Sequence, residues 1–158
     1  MRNKKTPNEI ICKNNICEIV IYNKNCEEVA RTIIDKDDLA KVKGYKICSS
    51  NGYALTKNNK RMHHLILPIK KGLITDHING DKLDNRKCNL RYATYQENNR
   101  NRRNVRGYSW HKNYKKWYAQ IKVNKKNIYL GCFITEKDAK NTYQEAREKY
   151  FGEFIFKE

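Results

Sequence analysis

The 158-residue chain has no apolar run long enough to span a membrane, and no apolar signal core follows its basic first residues. These absences argue against an integral membrane protein and against Sec export, so we expect a cytoplasmic protein that is not secreted and has no membrane partner. Apolar residues make up 39% of the chain and aromatic residues 11%. That material suffices for small hydrophobic cores, which argues against full disorder.

Cysteine pairs with metal-binding spacing are absent as well. The six cysteines include no C-x-x-C pair, and they do not cluster with the four histidines at zinc-finger spacing. We therefore expect six reduced thiols and no structural zinc, with a structural zinc site as the alternative.

Acidic residues are missing from one long stretch, Asn98 to Thr135, which carries ten Lys or Arg residues. The whole chain has 34 Lys and Arg against 17 Asp and Glu, a net charge of +17. This excess favours a polyanionic partner, and nucleic acid ranks above anionic membrane because no long basic amphipathic helix is evident. Aromatic residues are interleaved with the charges, which indicates a folded binding module rather than a basic tail.

The apolar patterns predict an α+β fold in three segments. Residues 1–60 are β-rich, with one hairpin turning at Lys13-Asn14-Asn15 and another at Ser50-Asn51-Gly52. Between them, Asp35 is expected to cap a short helix. We recognise no catalytic group in this segment and interpret it as a scaffold or an additional DNA contact surface.

Residues 61–104 contain groups that could perform chemistry. Asp76 and His77 end a predicted strand and are followed by a tight turn. A carboxylate is a hard ligand suited to Mg²⁺, and a histidine beside such an ion can act as a general base. On spacing alone, Asp and Asn are also common turn and cap residues, so the pattern leaves a purely structural interpretation open.

A helix is predicted after this loop. Thr94 and Glu97 form the T-x-x-E capping box, which places Asn98 in the first helical turn. The amide oxygen of Asn98 could serve as a second hard ligand.

The run Asp76–Arg86, DHINGDKLDNR, followed by Asn89-Leu90-Arg91 and Glu97-Asn98, closely resembles the HNH endonucleases of phages and group I introns. These enzymes carry a ββα-metal (His-Me) finger, which the resemblance places over residues 61–104, with a basic linker at its end. Upstream, this chain has Met62-His63-His64 where the family often has Met-His-Arg. We expect His63 to have a structural role or to support a neighbouring site residue, and His64 to be exposed.

The resemblance also implies roles. His77 would be the general base, and Asp76 and Asn98 would hold one divalent ion, Mg²⁺ or Mn²⁺, on the scissile phosphate. Asn89 matches the central N of the motif and would fix the loop by hydrogen bonds, as a member of the catalytic set. Arg86 and Arg91 are candidate phosphate contacts or simply solvated side chains.

Residues 105–158 show strand alternation followed by a helical pattern. The alternation predicts three antiparallel strands, with Trp110 and Cys132 among the inward-facing residues. The helix begins after Thr135 and is expected to bury a stripe that ends at Tyr150. We therefore predict a three-stranded sheet covered by one helix, with a polar, basic face exposed.

This pattern resembles the APETALA/ethylene-response-factor type of DNA-binding domain, through Arg106-Gly107-Tyr108, Lys116–Ile121, Tyr129–Phe133 and Thr135–Ala139. In that family the sheet reads the major groove of double-stranded DNA. The implied DNA-contacting residues are Arg106, Ser109, His111, Gln120, Lys122, Asn127 and Tyr129. A basic bridge before the sheet would track the DNA backbone with Arg100, Arg102 and Arg103.

Taken together, the sequence predicts a metal-dependent, site-selective DNA endonuclease that acts as a monomer on double-stranded DNA and has no small-molecule substrate. The alternative is a DNA-binding regulator whose HNH site has decayed. A third class, an RNA-binding module or a zinc-stabilised module, is left open.

Overall fold

The computed structural model describes residues 7–102 and 105–155. The chain is a mixed α/β protein with several small antiparallel sheets and few helices, consistent with the predicted α+β class. It divides into two compact units, the first ending at Tyr95 and the second beginning at Gln96. Among the residues described, no helix combines the length and apolarity that crossing a membrane requires.

The first unit is built from hairpins and two short α-helices. Its elements are β1 (Ile10–Lys13), β2 (Ile16–Tyr22), β3 (Glu28–Asp35), α1 (Leu39–Val42), β4 (Ile47–Ser50), β5 (Tyr53–Thr56), α2 (Met62–Ile66), β6 (Ile74–His77) and β7 (Leu90–Ala93). They form three antiparallel sheets, β1-β2-β3, β4-β5 and β6-β7.

Both predicted hairpins turn where the sequence placed them. Asn14 and Asn51 adopt the left-handed conformation that such tight turns require, with φ of 55° and 50°. The cap expected from Asp35 is wrong, because its side chain makes no helix-capping bond. Its Oδ2 instead accepts a hydrogen bond from the Lys87 backbone N–H at 2.7 Å, which ties β3 to a distant loop.

One apolar core joins the hairpins of the first unit. Ile19 and Ile21 of β2 and Ile34 of β3 are almost completely buried. Met62 of α2 and Leu90 of β7 belong to the same cluster. The strand pair β6-β7, which carries the Asp-His dipeptide, is therefore anchored on the N-terminal sheet by hydrophobic burial.

The expectation of six reduced thiols is wrong at one pair. Cys12 and Cys17 form a disulfide, and their Cα atoms lie 4.1 Å apart. They meet because the short turn between β1 and β2 places them directly opposite each other in the hairpin register. The other four cysteines, Cys26, Cys48, Cys88 and Cys132, are free.

The second unit consists of a sheet and a long helix, preceded by α3 (Tyr95–Arg100), whose first residue still belongs to the first unit. Its strands are β8 (Tyr108–His111), β9 (Lys116–Val123) and β10 (Lys126–Phe133), and its helix is α4 (Glu136–Phe151). The antiparallel sheet has the order β10-β9-β8. Thr135 caps α4 by accepting the Asp138 backbone N–H at 3.1 Å.

Three side chains of this unit face differently from the sequence prediction. Cys132 is exposed rather than inward, because the register shifts between Tyr129 and Gly131 and every later residue of β10 changes face. Trp110 is 47% exposed and packs on Trp117. Tyr150 is also exposed, and Arg147 is buried on the helix instead.

Gly107 provides the close approach between β8 and α4. A Cβ at this position would come within 2.5 Å of the Gln120 carbonyl oxygen and nearer still to the Tyr143 ring. Tyr143 is a core residue of the unit and cannot move without opening a cavity.

We expect Gly107→Ala to lower the free energy of unfolding of the second unit by about 3 kcal/mol through overpacking. Urea denaturation followed by tryptophan fluorescence measures this directly, because both tryptophans lie in that unit. Gly152→Ala is the matched control, since a Cβ there meets open space and only the positive φ of 55° opposes it, at about 1 kcal/mol. Equal losses in the two variants would contradict the close-approach argument.

Candidate active site

Asp76 and His77 are the last two residues of β6, and both are almost completely buried. Their positions follow from the antiparallel register, in which Asp76 lies opposite Arg91 and His77 opposite Leu90. Successive strand residues point to opposite faces. Each side chain of the dipeptide therefore has its own surroundings.

The Asp76 carboxylate forms an ion pair with the Arg91 guanidinium. Its Oδ2 accepts a hydrogen bond from Arg91 Nε at 2.9 Å, and Arg91 Nη2 lies at 2.9 Å from the same oxygen. Such charge-assisted hydrogen bonds are stronger than neutral ones and hold the carboxylate in a fixed orientation. Carboxylate oxygens are hard donors of the kind that a divalent ion takes, so the donor type of Asp76 suits such an ion. A phosphate contact by Arg91 stays a prediction.

His77 lies between an amide and two aromatic rings. Its Nε2 is 3.3 Å from Asn85 Oδ1. Its ring packs edge-on against the His63 ring, with the two ring centroids 4.9 Å apart, and its centroid lies 6.2 Å from that of the Tyr53 ring. Burial lowers the pKa of His77, although the Asn85 hydrogen bond and nearby carboxylates oppose the shift. His77 is therefore neutral at pH 7 and able to accept a proton.

His63 forms the buried wall behind His77. It is 2% exposed and makes ring contacts with His77, His64 and Tyr53. Burial, followed by the proximity of His77, lowers the pKa of His63 to about 3. These contacts agree with the structural role expected for His63. His64 is half-buried rather than exposed.

The low pKa of His63 predicts acid sensitivity of the first unit. Below about pH 6.5 the unfolded chain binds a proton at this residue, whereas the folded chain does so only near pH 3. The free energy of unfolding should therefore fall with decreasing pH across this window, by up to about 1.4 kcal/mol per pH unit from this group.

Urea titrations at several pH values, followed by the amide signals of β2, measure this slope. We expect His63→Phe to reduce this slope by up to about 1.4 kcal/mol per pH unit, because the titrating group is lost. The phenyl ring keeps an aromatic group at this position. A slope that is the same in the variant and the wild type would contradict the assignment.

The loop between β6 and β7 is held by Asn89. Its Oδ1 accepts the Asn79 backbone N–H at 2.9 Å, and its Nδ2 donates to the Asp84 carbonyl at 2.8 Å. The Ile78 N–H also donates to the Asn89 carbonyl at 2.9 Å. Asn89 thus ties both arms of the loop together next to His77. This is the kind of contact that the sequence hypothesis assigned to it.

Arg86 forms an ion pair within the same loop. Its Nε and Nη2 donate to the two oxygens of Asp84 at 2.8 and 2.6 Å. Burial opposes ionisation of Asp84, but the hydrogen bonds from Arg86 outweigh it and lower the pKa of the carboxyl group. A role of Arg86 in binding phosphate stays a prediction.

Asn98, the second predicted metal ligand, lies on α3 and is half-buried. The helix begins directly after Thr94, as the capping box predicts. Asn98 belongs to the second unit, whereas Asp76 and His77 belong to the first. Its pairing with Asp76 at a metal ion therefore stays a prediction.

Six of the seven predicted DNA-reading residues share one face of the second unit's sheet, and the seventh, Arg106, precedes β8. In the strand register Asn127 lies opposite Lys122 and Tyr129 opposite Gln120. All four are exposed, as are Ser109 and Arg106. His111 is half-buried, and its ring lies 4.6 Å from that of Tyr114. Arg103 lies outside the described residues.

A basic cleft of about 550 Å³ lies within the second unit. Its lining residues are Gln96, Asn99 and Arg100 of α3, and Lys122, Asn124 and Lys125 at the β9–β10 turn. Three of the six are cationic, and none is acidic. Arg147 Nη2 donates to the Arg100 carbonyl at 2.8 Å and holds the end of α3 against α4. Arg102, also in the predicted basic bridge, is exposed.

Sequence reasoning missed Asn85 and Thr32. Asn85 is 1% exposed and contacts both His77 and Thr32 Oγ1. Asn85 lies inside the quoted DHINGDKLDNR run, but its hydrogen bonds depend on a contact 53 residues away. No local spacing signals that contact.

Among the described residues, no group of three or more His, Cys, Asp or Glu side chains is arranged to hold a metal ion.

Neither the curated proteins nor the solved structures yielded a significant match to the chain. The APETALA/ethylene-response-factor resemblance therefore stays a prediction. Residues 68–100 match the model of the HNH endonuclease family, a segment that contains Asp76, His77, Asn89 and Asn98. This match supports the HNH part of the resemblance and indicates a nuclease that acts on nucleic acid.

Proposed function

We propose that this protein is a metal-dependent, site-selective endonuclease of the phage or homing HNH type that hydrolyses phosphodiester bonds in double-stranded DNA. One observation carries the proposal. The buried His77, in contact with the Asn85 amide, directly follows Asp76, which pairs with Arg91, inside the segment that matches the HNH endonuclease family. A general base and a hard-oxygen ligand for a cation are two groups that metal-assisted hydrolysis of a phosphate diester uses.

His77 would take a proton from the attacking water. The water oxygen forms a bond to phosphorus, the bond from phosphorus to the 3′ oxygen breaks, and the abstracted proton moves to the imidazole. Burial favours the neutral imidazole that this step needs. The leaving 3′ oxygen takes a proton from solvent water, so the products are a 5′-phosphate and a 3′-hydroxyl.

The residues assigned to the metal are Asp76 and Asn98, both of which offer oxygen donors. One divalent ion, Mg²⁺ or Mn²⁺, would supply charge stabilisation at the phosphate and the leaving oxygen. Arg91 would orient the Asp76 carboxylate through its hydrogen bond and ion pair. Asn89 would keep the loop beside His77 in a fixed conformation.

The second unit would place the cut. Its exposed sheet face carries Gln120, Lys122 and Asn127, which can donate to base edges and phosphates. The cleft between α3 and the β9–β10 turn has the positive charge that attracts a backbone phosphate. In this proposal the protein acts as a monomer, and both units bind the same duplex.

The ends of the cleavage products test the chemistry and the selectivity together. Full-length protein is incubated with Mg²⁺ and phage DNA, and the new ends are mapped by sequencing and tested with DNA ligase. The proposal predicts ends that cluster at few positions and that ligase can join, because they carry 5′-phosphate and 3′-hydroxyl groups. Randomly scattered ends would remove site selectivity, and 3′-phosphate ends would contradict the leaving group.

We expect Lys122→Ala to weaken DNA binding and to reduce the salt dependence by about one unit in the slope of log K against log salt concentration. The reason is the loss of one phosphate or base contact on the sheet. Fluorescence anisotropy at several salt concentrations measures the slope. Lys137→Ala, an exposed lysine on α4, is the matched control with an unchanged slope. Equal slopes for Lys122→Ala and wild type would remove Lys122 from the interface.

A further inference from the structure

The loop segment that contacts His77, Leu83 to Asn85, pairs with the edge of β3 through backbone hydrogen bonds. Ile33 N–H donates to the Leu83 carbonyl at 2.9 Å, and Asn85 N–H donates to the Ile33 carbonyl at 2.8 Å. Ile33 and Asp84 form an isolated parallel bridge between these bonds. The backbone of Asn85 is therefore fixed by the N-terminal sheet rather than by its own loop.

The side-chain amide of Asn85 can face in only one direction. Its nitrogen lies 2.8 Å from Thr32 Oγ1 and 3.2 Å from the Leu83 carbonyl oxygen. A carbonyl oxygen accepts and never donates, so the NH₂ group must lie on this side. The Thr32 hydroxyl donates to the same carbonyl at 2.8 Å, which leaves its lone pairs to accept from Asn85.

This orientation points an acceptor at His77. Asn85 Oδ1 lies 3.3 Å from His77 Nε2. Asn85 is 1% exposed and Thr32 is fully buried, so water does not substitute for either bond. An acceptor held in this position requires Nε2 to carry the hydrogen. A neutral imidazole with hydrogen on Nε2 has its lone pair on Nδ1.

We propose that Asn85 is a positioning residue that selects the Nε2–H tautomer of His77, so that Nδ1 is the atom that takes the proton. Thr32 holds Asn85 in the required orientation. A half-turn of the His77 ring would bring a carbon to Asn85 Oδ1, so the same hydrogen bond also fixes which edge of the ring faces Asn85. The inference deepens the proposed function and rests on His77 as the general base.

The inference also assigns a role in the proposed active site to the N-terminal segment. Thr32 belongs to β3, within the residues 1–60 for which the sequence offered only a scaffold or a DNA contact surface. Here the sheet fixes the proton-accepting atom of a histidine 45 positions later in the chain.

The tautomer can be read directly. Full-length protein labelled with ¹⁵N-histidine is examined by long-range ¹H–¹⁵N correlation spectroscopy at about pH 8, where a histidine is neutral. The wild type is expected to show His77 as the Nε2–H tautomer. An Nδ1–H tautomer would overturn the proposal, and this result depends on no variant and on no nuclease activity.

Two variants at Asn85 connect the tautomer to function. Asn85→Leu removes the acceptor, and we expect a mixture of His77 tautomers and single-turnover cleavage at least about ten-fold slower, with DNA affinity within a few-fold. Asn85→Asp keeps an oxygen facing Nε2, so it should keep the Nε2–H tautomer and cleave faster than the leucine variant. An unchanged tautomer and cleavage rate in Asn85→Leu would refute the positioning role.

Thr32→Val is the variant to use if Asn85→Leu does not fold, since it preserves shape and removes only the hydroxyl. We expect a partial loss of the tautomer preference and of cleavage. A His77 tautomer and a cleavage rate equal to those of the wild type would refute the role of Thr32 in orienting Asn85. If the wild type cleaves no DNA with any metal, the proposed function fails. The tautomer spectrum still decides the part played by Asn85.

Discussion

His77→Ala is expected to lose DNA cleavage by about 10²- to 10⁴-fold while DNA affinity stays within a few-fold. The methyl side chain cannot accept a proton from water. The side chain of His77 is buried, so its removal does not touch the basic surfaces that we propose bind the duplex. Single-turnover cleavage and fluorescence anisotropy on the same substrate measure the two quantities separately.

The matched control is His64→Gln. His64 is the same residue type, and its ring packs on His63 at 4.3 Å. We expect cleavage by this variant to stay within a few-fold of wild type. A parallel collapse of binding in His77→Ala would refute a role as general base alone, and equal losses in both variants would point to a disturbed fold instead.

Asp76→Ala is expected to have two effects. Cleavage should fall by at least about 10²-fold, because the proposed metal site loses its charged ligand. The free energy of unfolding should fall by roughly 3 kcal/mol, because the Arg91 guanidinium loses its carboxylate in a nearly buried position. Urea denaturation and cleavage at increasing Mg²⁺ concentrations measure both.

Asp76→Asn separates these effects. The amide oxygen can still accept from Arg91, so most of the stability should be retained. The negative charge is gone, so cleavage should stay low even at high Mg²⁺ concentration. Wild-type cleavage by Asp76→Asn would show that Asp76 serves the fold through Arg91 and does not hold the metal.

The local parts of this structure were predictable from the sequence. Asn51-Gly52 marked a hairpin turn, and Thr94 with Glu97 marked the start of α3, because turn and cap chemistry depends on neighbouring residues. The strand that ends in Asp76 and His77 was predictable for the same reason. This strand and α3 carry Asp76, His77 and Asn98, on which the functional hypothesis rests.

The contacts that orient the site were not predictable in this way. Asn85 meets Thr32 only after two hairpins have packed through a shared core, and no spacing along the chain encodes that meeting. Likewise, the pairing of Arg91 with Asp76 follows from strand register rather than from sequence distance. Strand alternation also failed at Cys132, because one bulge reverses the face of every later residue.

Cleavage of supercoiled plasmid by the full-length protein tests the central claim most directly. The protein is incubated with Mg²⁺ or Mn²⁺ in one set of reactions and with EDTA in another, and the plasmid forms are separated on a gel. The account predicts nicked or linear plasmid with metal and intact supercoiled plasmid with EDTA. Tight binding without cleavage in either metal would contradict it and would favour a DNA-binding regulator with an inactive HNH site.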